Sequence, residues 1–226
     1  MKIIIFLRNK LKNNDFLFKT VYPFVFKLSK KLNYRPRLIK KYGFEVLHLV
    51  NKIANQYQIP YYIDWGTLLG MVRENNFIKH DEDIDFTILP CNVPLLPFIE
   101  KLGNSGFIFD EFHLDSDRNR IKEFRVRYKD ISIDFFLPYE ENGFLTFVGP
   151  DRFLVYPKPS IARMTFNNIT LNVPTDTENH LEWCYGNNWR TPEKRWNSKN
   201  AKSFRGFNQN SIVRIKDINL FSEYHL

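Results

Sequence analysis

The sequence is poor in cysteine, in clustered histidine and in long apolar runs, and each shortage excludes a class of protein. Only two cysteines, Cys91 and Cys184, occur in 226 residues, so neither a disulfide framework nor a cysteine-based zinc cluster is expected. The five histidines are scattered without metal-binding spacing. Every apolar run is short and is interrupted by Lys or Arg, so no transmembrane helix is predicted. Only five apolar residues follow Met1 and Lys2, too few for a signal peptide, and we expect a cytoplasmic protein.

The composition favours one well-packed domain with a basic extension. Hydrophobic residues make up 43% of the chain, with 22 Phe and 11 Tyr, which is enough for one sizeable core. The formal net charge of +8 is unevenly placed, because residues 1–41 hold twelve basic residues and a single acidic one, Asp15. We therefore divide the chain into a basic N-terminal extension, residues 1–41, and a main domain, residues 42–226.

The basic extension has two structural interpretations. Bulky apolar residues such as Ile4, Phe16 and Phe24 are interspersed with its basic residues, a mixture that suits amphipathic helices. Such helices can pack on the main domain with a solvated basic face, or they can lie on an anionic membrane as a peripheral contact. No nucleic-acid-binding motif accompanies the charge, so nucleic acid is not an expected partner.

An acidic run with alternating apolar residues, at 81–89, is the most informative stretch. The alternation predicts a strand on which Asp81, Asp83 and Asp85 share one face. Carboxylate oxygens are ligands that suit Mg²⁺, which proteins often bind through one or two carboxylates plus substrate phosphates. The alternative is a solvated acidic edge, because most acidic runs lie on the protein surface. The interleaved apolar residues favour the metal site.

Gly66 and Thr67 precede the acidic run and follow a short apolar segment. Together with residues 68–73 they predict a strand, a turn and a helix that carries Arg73. Thr67 can cap this helix, and the N–H groups of its first turn can receive an anion. An ordinary turn and cap is the alternative.

Asp134 is the best candidate for a third carboxylate. It lies in a predicted strand, residues 131–136, and alternates there with large apolar residues. A charged residue in such surroundings is rarely buried without a partner, and a metal ion would be one; an exposed strand edge is the alternative. Arg125 and Arg127 alternate with apolar residues on the preceding predicted strand. One of them can reach a phosphate, although surface exposure is favoured.

These motifs together resemble the LicD family of the nucleotidyltransferase fold. The run from Gly66 to Asp85, with G-T-L-L-G-M-V-R, F-I and D-E-D-I-D, carries the most specific part of the resemblance. Residues 133–137 are similar to the family's second aspartate motif. Val173-Pro174 and Tyr185-Gly186 are similar to its C-terminal signature, so the resemblance covers residues 45–196. The group includes bacterial phosphocholine transferases and is similar to the fukutin-related ribitol-phosphate transferases.

The resemblance implies an α+β fold with a nucleotidyltransferase-like mixed sheet flanked by helices. It also implies a set of roles: Asp83, Asp85 and Asp134 as catalytic residues, the same three with Asp81 as ligands of one or two Mg²⁺ ions, and Gly66, Thr67 and Arg73 as residues that bind the donor. The implied reaction transfers a phosphocholine-like phospho-alcohol from a CDP-linked donor to a hydroxyl of a cell-surface glycan or glycolipid precursor, releasing CMP. Two alternatives remain: a nucleotidyltransferase that releases pyrophosphate, and a non-enzymatic basic protein at a membrane surface.

The remaining pattern predicts the supporting elements. We expect helices at 38–58 and 95–102, a hairpin at 124–136 with a two-residue turn, a loop at 110–120, and short strands at 107–109, 144–148, 153–156 and 164–171. Thr175 or Asp176 can cap a further helix that ends near Tyr185. Four nearby aromatic residues can form a platform for a base or an alkyl-ammonium group, or a core cluster: Trp183, Tyr185, Trp189 and Trp196.

Overall fold

The computed structural model describes residues 34–115, 119–149, 153–193, 199, 201–206 and 212–224. The helices within these ranges are α1, Tyr34–Gln56; α2, Trp65–Glu74; α3, Leu96–Asn104; and α4, Thr177–Tyr185. The strands are β1, Tyr61–Ile63; β2, Asp83–Ile88; β3, Ile108–Asp115; β4, Arg120–Tyr128; β5, Ile131–Phe136; β6, Tyr139–Glu141; β7, Phe144–Val148; β8, Phe153–Pro157; β9, Ile161–Phe166; β10, Ile169–Pro174; β11, Phe204–Gly206; and β12, Ile212–Ile215. A short 3₁₀ helix, Ile218–Glu223, follows β12.

A six-stranded mixed sheet with the order β1-β2-β5-β4-β3-β12 forms the centre of the fold. β2 and β5 run parallel, and the other neighbouring pairs are antiparallel. Because strand side chains alternate faces, Ile84, Phe86, Ile133 and Phe135 share one face and are buried. The opposite face of the same strands carries the acidic residues. One sheet therefore separates the hydrophobic core from the candidate site.

Helix α1 covers the apolar face of the sheet. Apolar residues from Leu38 to Ile53 recur at helical spacing and are buried in contact with β2 and β5. Beneath them, one phenylalanine from each of three strands forms a stack, with ring centroids 5.2 Å apart for Phe86–Phe135 and 4.6 Å apart for Phe124–Phe135. Full burial of one such side chain stabilises a fold by about 1.5–3 kcal/mol, so this layer helps to hold β2, β5 and β4 together.

Two smaller sheets lie beside the central one. The first has the order β11-β8-β7-β6, and the second is the hairpin β9–β10, which contacts β1 and α1. Helix α4 contacts both β8 and β10. A second hydrophobic cluster, which includes Tyr62, Phe147, Tyr156 and Cys184, joins the four-stranded sheet to β1 and α4.

The predicted helices and the central hairpin are confirmed, whereas the strands β6, β11 and β12 were not predicted and two further segments differ from the prediction. The expected loop at 110–120 contains most of β3, in which polar residues alternate with the buried Phe112 and Leu114. The polar residues there continue the polar face of the sheet, which makes the segment resemble a loop in sequence. The expected strand at 164–171 is a hairpin instead, because Asn167 and Asn168 both adopt positive φ angles and form its turn.

None of the helices in the described part of the chain is long and apolar enough to cross a membrane. Helix α1 begins at Tyr34 and continues without a break past residue 41. The amphipathic helices and the membrane contact predicted for the basic extension fall mainly on residues 1–33, outside the described residues. They stay predictions, as does the division of the chain at residue 41.

Candidate active site

Three aspartates converge on the polar face of the sheet, where β2 and β5 run side by side. The parallel register sets Asp85 opposite Asp134 and Asp83 opposite Ser132. Each aspartate offers one carboxylate oxygen, and these three oxygens lie within 4.8 Å of one another. Asp85 and Asp134 are buried, and Asp83 is partly buried. The spacing of two within β2 and the pairing with β5 thus assemble one carboxylate cluster.

Helix α2 begins beside this cluster, but its cap is not the predicted one. Asp64 is the N-cap residue, and its side chain accepts a hydrogen bond from the N–H of Trp65 at 2.8 Å. The prediction that Thr67 caps the helix is therefore wrong, because Thr67 lies inside the first turn. Its Oγ1 instead accepts a hydrogen bond from the backbone N–H of Asp85 at 2.9 Å. Thr67 thereby fixes the start of α2 to the middle of β2.

Asp81 precedes β2 and faces Gly66, whereas the sequence predicts it on the strand itself. A Cβ atom at Gly66 would lie 3.1 Å from both carboxylate oxygens of Asp81, so the glycine leaves room for that carboxylate. One of these oxygens, Oδ2, is buried and has no hydrogen-bond partner among the described residues. Burial, and after it the nearby Asp83, raises the pKa of Asp81 to about 7. A buried oxygen is thus left unpaired next to the carboxylate cluster.

Burial and mutual repulsion act on all three carboxylates of the cluster. Burial, followed by the charges of Asp83 and Asp134, raises the pKa of Asp85 well above its usual value. Burial also raises the pKa of Asp83 and brings that of Asp134 to about 6, although the charge of Arg125 opposes both changes. Repulsion between like charges and loss of solvation both disfavour ionised carboxylates, and a bound cation would relieve them.

The residues of the cluster fit a magnesium ion. Mg²⁺ prefers hard oxygen ligands and keeps some of its coordination positions for water or phosphate oxygens. Asp83, Asp85 and Asp134 supply three such oxygens from two adjacent strands. The unpaired Oδ2 of Asp81 is a fourth oxygen whose burial a nearby cation would offset. Asp83, Asp85 and Asp134 are therefore close enough together to hold an ion, and ligation by Asp81 stays a prediction.

Arg125 belongs to the site, although the sequence favours an exposed position for it. Its guanidinium group donates from Nε to Oδ1 of Asp134 and from Nη2 to Oδ2 of Asp134, the latter at 2.7 Å. The sequence signal for this contact is the hairpin itself. With a two-residue turn at Lys129–Asp130, the register of the hairpin places Arg125 on β4 opposite Asp134 on β5. Arg127 is also buried, and it forms an ion pair with Asp110 instead.

A second polar cluster lies behind α2 and is built around Asp64. Ligand atoms of Asp64, His180 and Cys184 lie within 4.8 Å of one another, which by distance alone would also suit a metal. Both oxygens of Asp64 are, however, already occupied. Besides the helix cap, they bond to Nε2 of His180 at 2.8 Å and accept from the hydroxyls of Thr87 and Tyr156 at 2.7 and 2.8 Å. We interpret Asp64 as a structural centre that joins α2, β2, β8 and α4.

Arg73 lies in a cleft at the far end of α2. The cleft is lined in part by Arg73, His80, Tyr185 and Trp189, and His80 directly precedes the acidic run. The guanidinium group of Arg73 pairs with Glu74 and donates to the backbone carbonyl of Trp189 at 3.5 Å. Its contacts thus connect α2 to the segment after α4, and its predicted role in donor binding stays a prediction.

The four predicted platform aromatics do not share one surface. Tyr185 and Trp189 line the cleft beside Arg73, whereas Trp183 lines a different one next to His180. Trp189 is also packed into the main hydrophobic core. Trp196 lies outside the described residues. The cap of α4 is Asp176, whose side chain accepts from the N–H of Asn179, so of the two predicted cap residues the structure selects this one.

The fold and the site together define the class of the protein: an α+β domain of the nucleotidyltransferase type. Its mixed sheet presents a carboxylate cluster beside the N-terminus of a helix. The chain belongs to the family described as LicD/FKTN/FKRP, nucleotidyltransferase domain, whose model matches residues 58–176. The matched range contains all seven predicted site residues and all three carboxylates of the cluster. The family and the fold class predicted from the sequence are thus confirmed, and with them the assignment to a family of phosphotransferase-type enzymes.

Among curated proteins the chain is similar to the ribitol-5-phosphate transferase FKTN of three mammals. It is 26% identical to the proteins of Homo sapiens and Macaca fascicularis over 178 residues, and 25% identical to that of Mus musculus over 180 residues. These alignments cover 72–73% of this chain and 36% of each relative. The chain therefore spans little more than a third of the length of the curated relatives that it matches.

Proposed function

We propose that this chain catalyses the Mg²⁺-dependent transfer of a phospho-alcohol group from a CDP-linked donor to a hydroxyl of a glycan or glycolipid, with release of CMP. The observation that carries the proposal is the cluster of Asp83, Asp85 and Asp134 within 4.8 Å on one sheet face, in a chain of the LicD/FKTN/FKRP family. Family membership supports the transferase class, and the cluster supports metal dependence.

The proposed roles follow from where each group lies. The first-turn N–H groups of α2, at Gly66 and Thr67, are assigned to the donor phosphates, because the first N–H groups of a helix lack partners within it and attract anions. Asp134 is assigned to the acceptor hydroxyl, whose proton its carboxylate would take. It lies on β5, one strand away from Asp83 and Asp85, so a reacting group can contact all three. When bound, Mg²⁺ would neutralise the donor diphosphate and stabilise the leaving nucleotide.

The cleft beside Arg73 is proposed to bind part of the donor. The guanidinium group of Arg73 lines this cleft and is largely buried. His80, which also lines the cleft, is next to Asp81 in the sequence. A phosphate or a pyrimidine carbonyl would suit the N–H directions of the Arg73 guanidinium that no described residue occupies. The position of the cleft next to the acidic run, and not its size, supports this assignment.

The alcohol is proposed to be a polyol such as ribitol in place of the phosphocholine-like group expected from the sequence. The mammalian relatives are named ribitol-5-phosphate transferases. Quaternary ammonium groups are bound by free aromatic faces. Here the rings of Trp183 and Trp189 are each already covered on one side by a guanidinium group, from Arg205 at 5.7 Å and from Arg190 at 4.3 Å.

A ligand screen tests this proposal. The thermal stability of the purified protein would be measured with CDP-ribitol, CDP-glycerol, CDP-choline, CMP and CTP, each with and without Mg²⁺, because a ligand that binds the native state raises its apparent stability. We expect stabilisation by CMP and CDP-ribitol that depends on Mg²⁺. Stabilisation by CTP alone would instead favour a nucleotidyltransferase, and a response to CDP-choline alone would restore phosphocholine as the group transferred.

Substitution of Asp83 tests the catalytic assignment. We expect Asp83→Asn to abolish CMP release from the preferred donor while the protein keeps its fold, as judged by circular dichroism. Asp176→Asn is the control, since it makes the same chemical change at an exposed aspartate that caps α4 and lies far along the chain from the cluster. Near wild-type turnover in Asp83→Asn would show that the metal assignment is wrong.

A further inference from the structure

We propose that Arg125 is a built-in counter-ion of the carboxylate cluster: it balances the charge of Asp134 while no cation is bound, and it holds that carboxylate in a fixed orientation. This inference rests on the metal site of the proposed function, but not on the identity of the alcohol transferred. Arg125 is therefore a positioning residue that acts through Asp134.

The contact between Arg125 and Asp134 is bidentate. Arg125 and Asp134 are opposite each other in the antiparallel pair β4–β5, and two different guanidinium nitrogens bond to the two carboxylate oxygens. Paired hydrogen bonds of this kind fix orientation as well as distance. In the described part of the chain, Arg125 is the one basic side chain that forms an ion pair with any of the three clustered aspartates.

Arg125 is itself held from the other side. Its Nη2 donates to Glu123 at 3.3 Å and its Nη1 donates to Glu111 at 3.4 Å. Both glutamates are buried, and His113 bonds to each of them, through Nδ1 to Glu123 at 3.2 Å and through Nε2 to Glu111 at 3.1 Å. This chain of contacts crosses β3, β4 and β5 on the polar face of the sheet. The guanidinium group is thus anchored independently of Asp134.

The arrangement leaves lone pairs for a metal ion at the same carboxylate. Each carboxylate oxygen has two lone pairs, and Arg125 uses one on each oxygen of Asp134. The remaining lone pairs can face a cation shared with Asp83 and Asp85. Arg125 therefore relieves the repulsion among the three carboxylates in part, and a cation relieves the rest.

Arg127 offers a matched control. It lies two residues further along β4, on the same face, and is buried in ion pairs with Asp110 and Asp130. It pairs across the sheet with Ser132, so it does not contact the clustered aspartates. Loss of Arg127 should destabilise the protein without changing its response to a divalent cation.

The experiment compares melting temperatures of wild type, Arg125→Met, Arg125→Lys and Arg127→Met in EDTA and in saturating MgCl₂. We expect Arg125→Met to melt lowest in EDTA and to gain at least twice as many degrees from Mg²⁺ as wild type does. Arg125→Lys, which keeps the charge but not the paired geometry, should gain an intermediate amount. Arg127→Met should gain as much as wild type.

Two outcomes would overturn the inference, and they differ in what else they affect. Equal gains from Mg²⁺ in the wild type and both methionine variants would refute the counter-ion role while leaving the metal site intact. No gain in any protein would refute the metal site and this inference together.

A measurement on the wild type covers the case in which Arg125→Met does not fold. Signals of arginine Nε–H groups would be followed by NMR during a titration with Mg²⁺. The signal of Arg125, assigned with the help of Arg125→Lys, should shift while that of Arg127 stays in place. Signals that move equally, or not at all, would refute the counter-ion role.

Discussion

Replacement of Asp64 by alanine should destabilise the protein far more than the loss of an ordinary helix cap. Asp64 is fully buried, and its two oxygens receive hydrogen bonds from the N–H of Trp65, from the hydroxyls of Thr87 and Tyr156, and from the ring of His180 if its Nε2 carries the proton. The side chain thus connects α2, β2, β8 and α4 through hydrogen bonds. Three of these partners, Thr87, Tyr156 and His180, are buried, so solvent replaces the lost acceptor poorly.

The magnitude follows from these contacts. Loss of the cap costs about 1 kcal/mol, and a buried polar group left without its partner costs about 1–3 kcal/mol. Three such groups remain, the hydroxyls of Thr87 and Tyr156 and the ring of His180, but relaxation makes their costs less than additive. We expect Asp64→Ala to lower the free energy of unfolding by about 4 kcal/mol, which corresponds to a melting temperature lower by roughly 10 °C.

The assay is urea unfolding followed by tryptophan fluorescence, with an unchanged m-value as the check that one transition is being compared. Asp176→Ala is the control, because Asp176 caps α4 through a single hydrogen bond of 3.2 Å and is exposed. That variant should lose about 1 kcal/mol. Asp64→Asn keeps an acceptor oxygen and should fall between the two. If Asp64→Ala costs no more than Asp176→Ala, the central structural role of Asp64 is refuted.

Two further predictions concern packing and charge. Gly70→Ala should cost about 1–3 kcal/mol of stability despite the better helix propensity of alanine, because its Cβ would lie 2.6 Å from the carbonyl oxygen of Asn76 and 2.9 Å from the backbone N of Ile78. Gly103→Ala, whose new Cβ would meet no atom within 4 Å, is the control and should be neutral or stabilising in the same urea unfolding assay. Burial disfavours a charge on His113, but its hydrogen bonds to two glutamates outweigh this and raise its pKa above 6.5. The charged imidazole therefore stabilises the folded state fully below pH 6.5, and this contribution is lost as the pH rises through the folded-state pKa. The difference in free energy of unfolding between wild type and His113→Gln should shrink from about pH 6 to pH 9. A difference that stays constant over this range would contradict the prediction.

The family and the main elements could be predicted from the sequence because their signals are local. The alternation of apolar and acidic residues from Asp83 to Ile88 determines both a strand and the face on which the carboxylates lie. The two-residue turn at Lys129–Asp130, with both φ angles positive, sets the register of the hairpin that contains Asp134. The order of residues within about twenty positions is sufficient for such features.

The contacts that complete the site depend on residues far apart in sequence. Asp85 and Asp134 are neighbours because β2 and β5 run parallel, and a parallel pair needs a long connection whose length does not reveal which strands will meet. Asp64 and His180 also form a contact although they are 116 positions apart in the sequence. Polar residues of β3 such as Glu111 and His113 resemble a loop in sequence until the sheet places them beside Arg125.

The sequence by itself determined the helices, the strands β2 and β5 and the three aspartates that these strands carry, since these follow from side-chain periodicity and from short motifs. Only the tertiary structure decided which groups share the polar face of the sheet: Arg125 on Asp134, Thr67 on the backbone of Asp85, and Asp64 at the start of α2. The physical reason is that burial and pairing depend on the whole chain. A carboxylate becomes part of a charged cluster, a helix cap or a solvated edge according to the groups that folding brings against it.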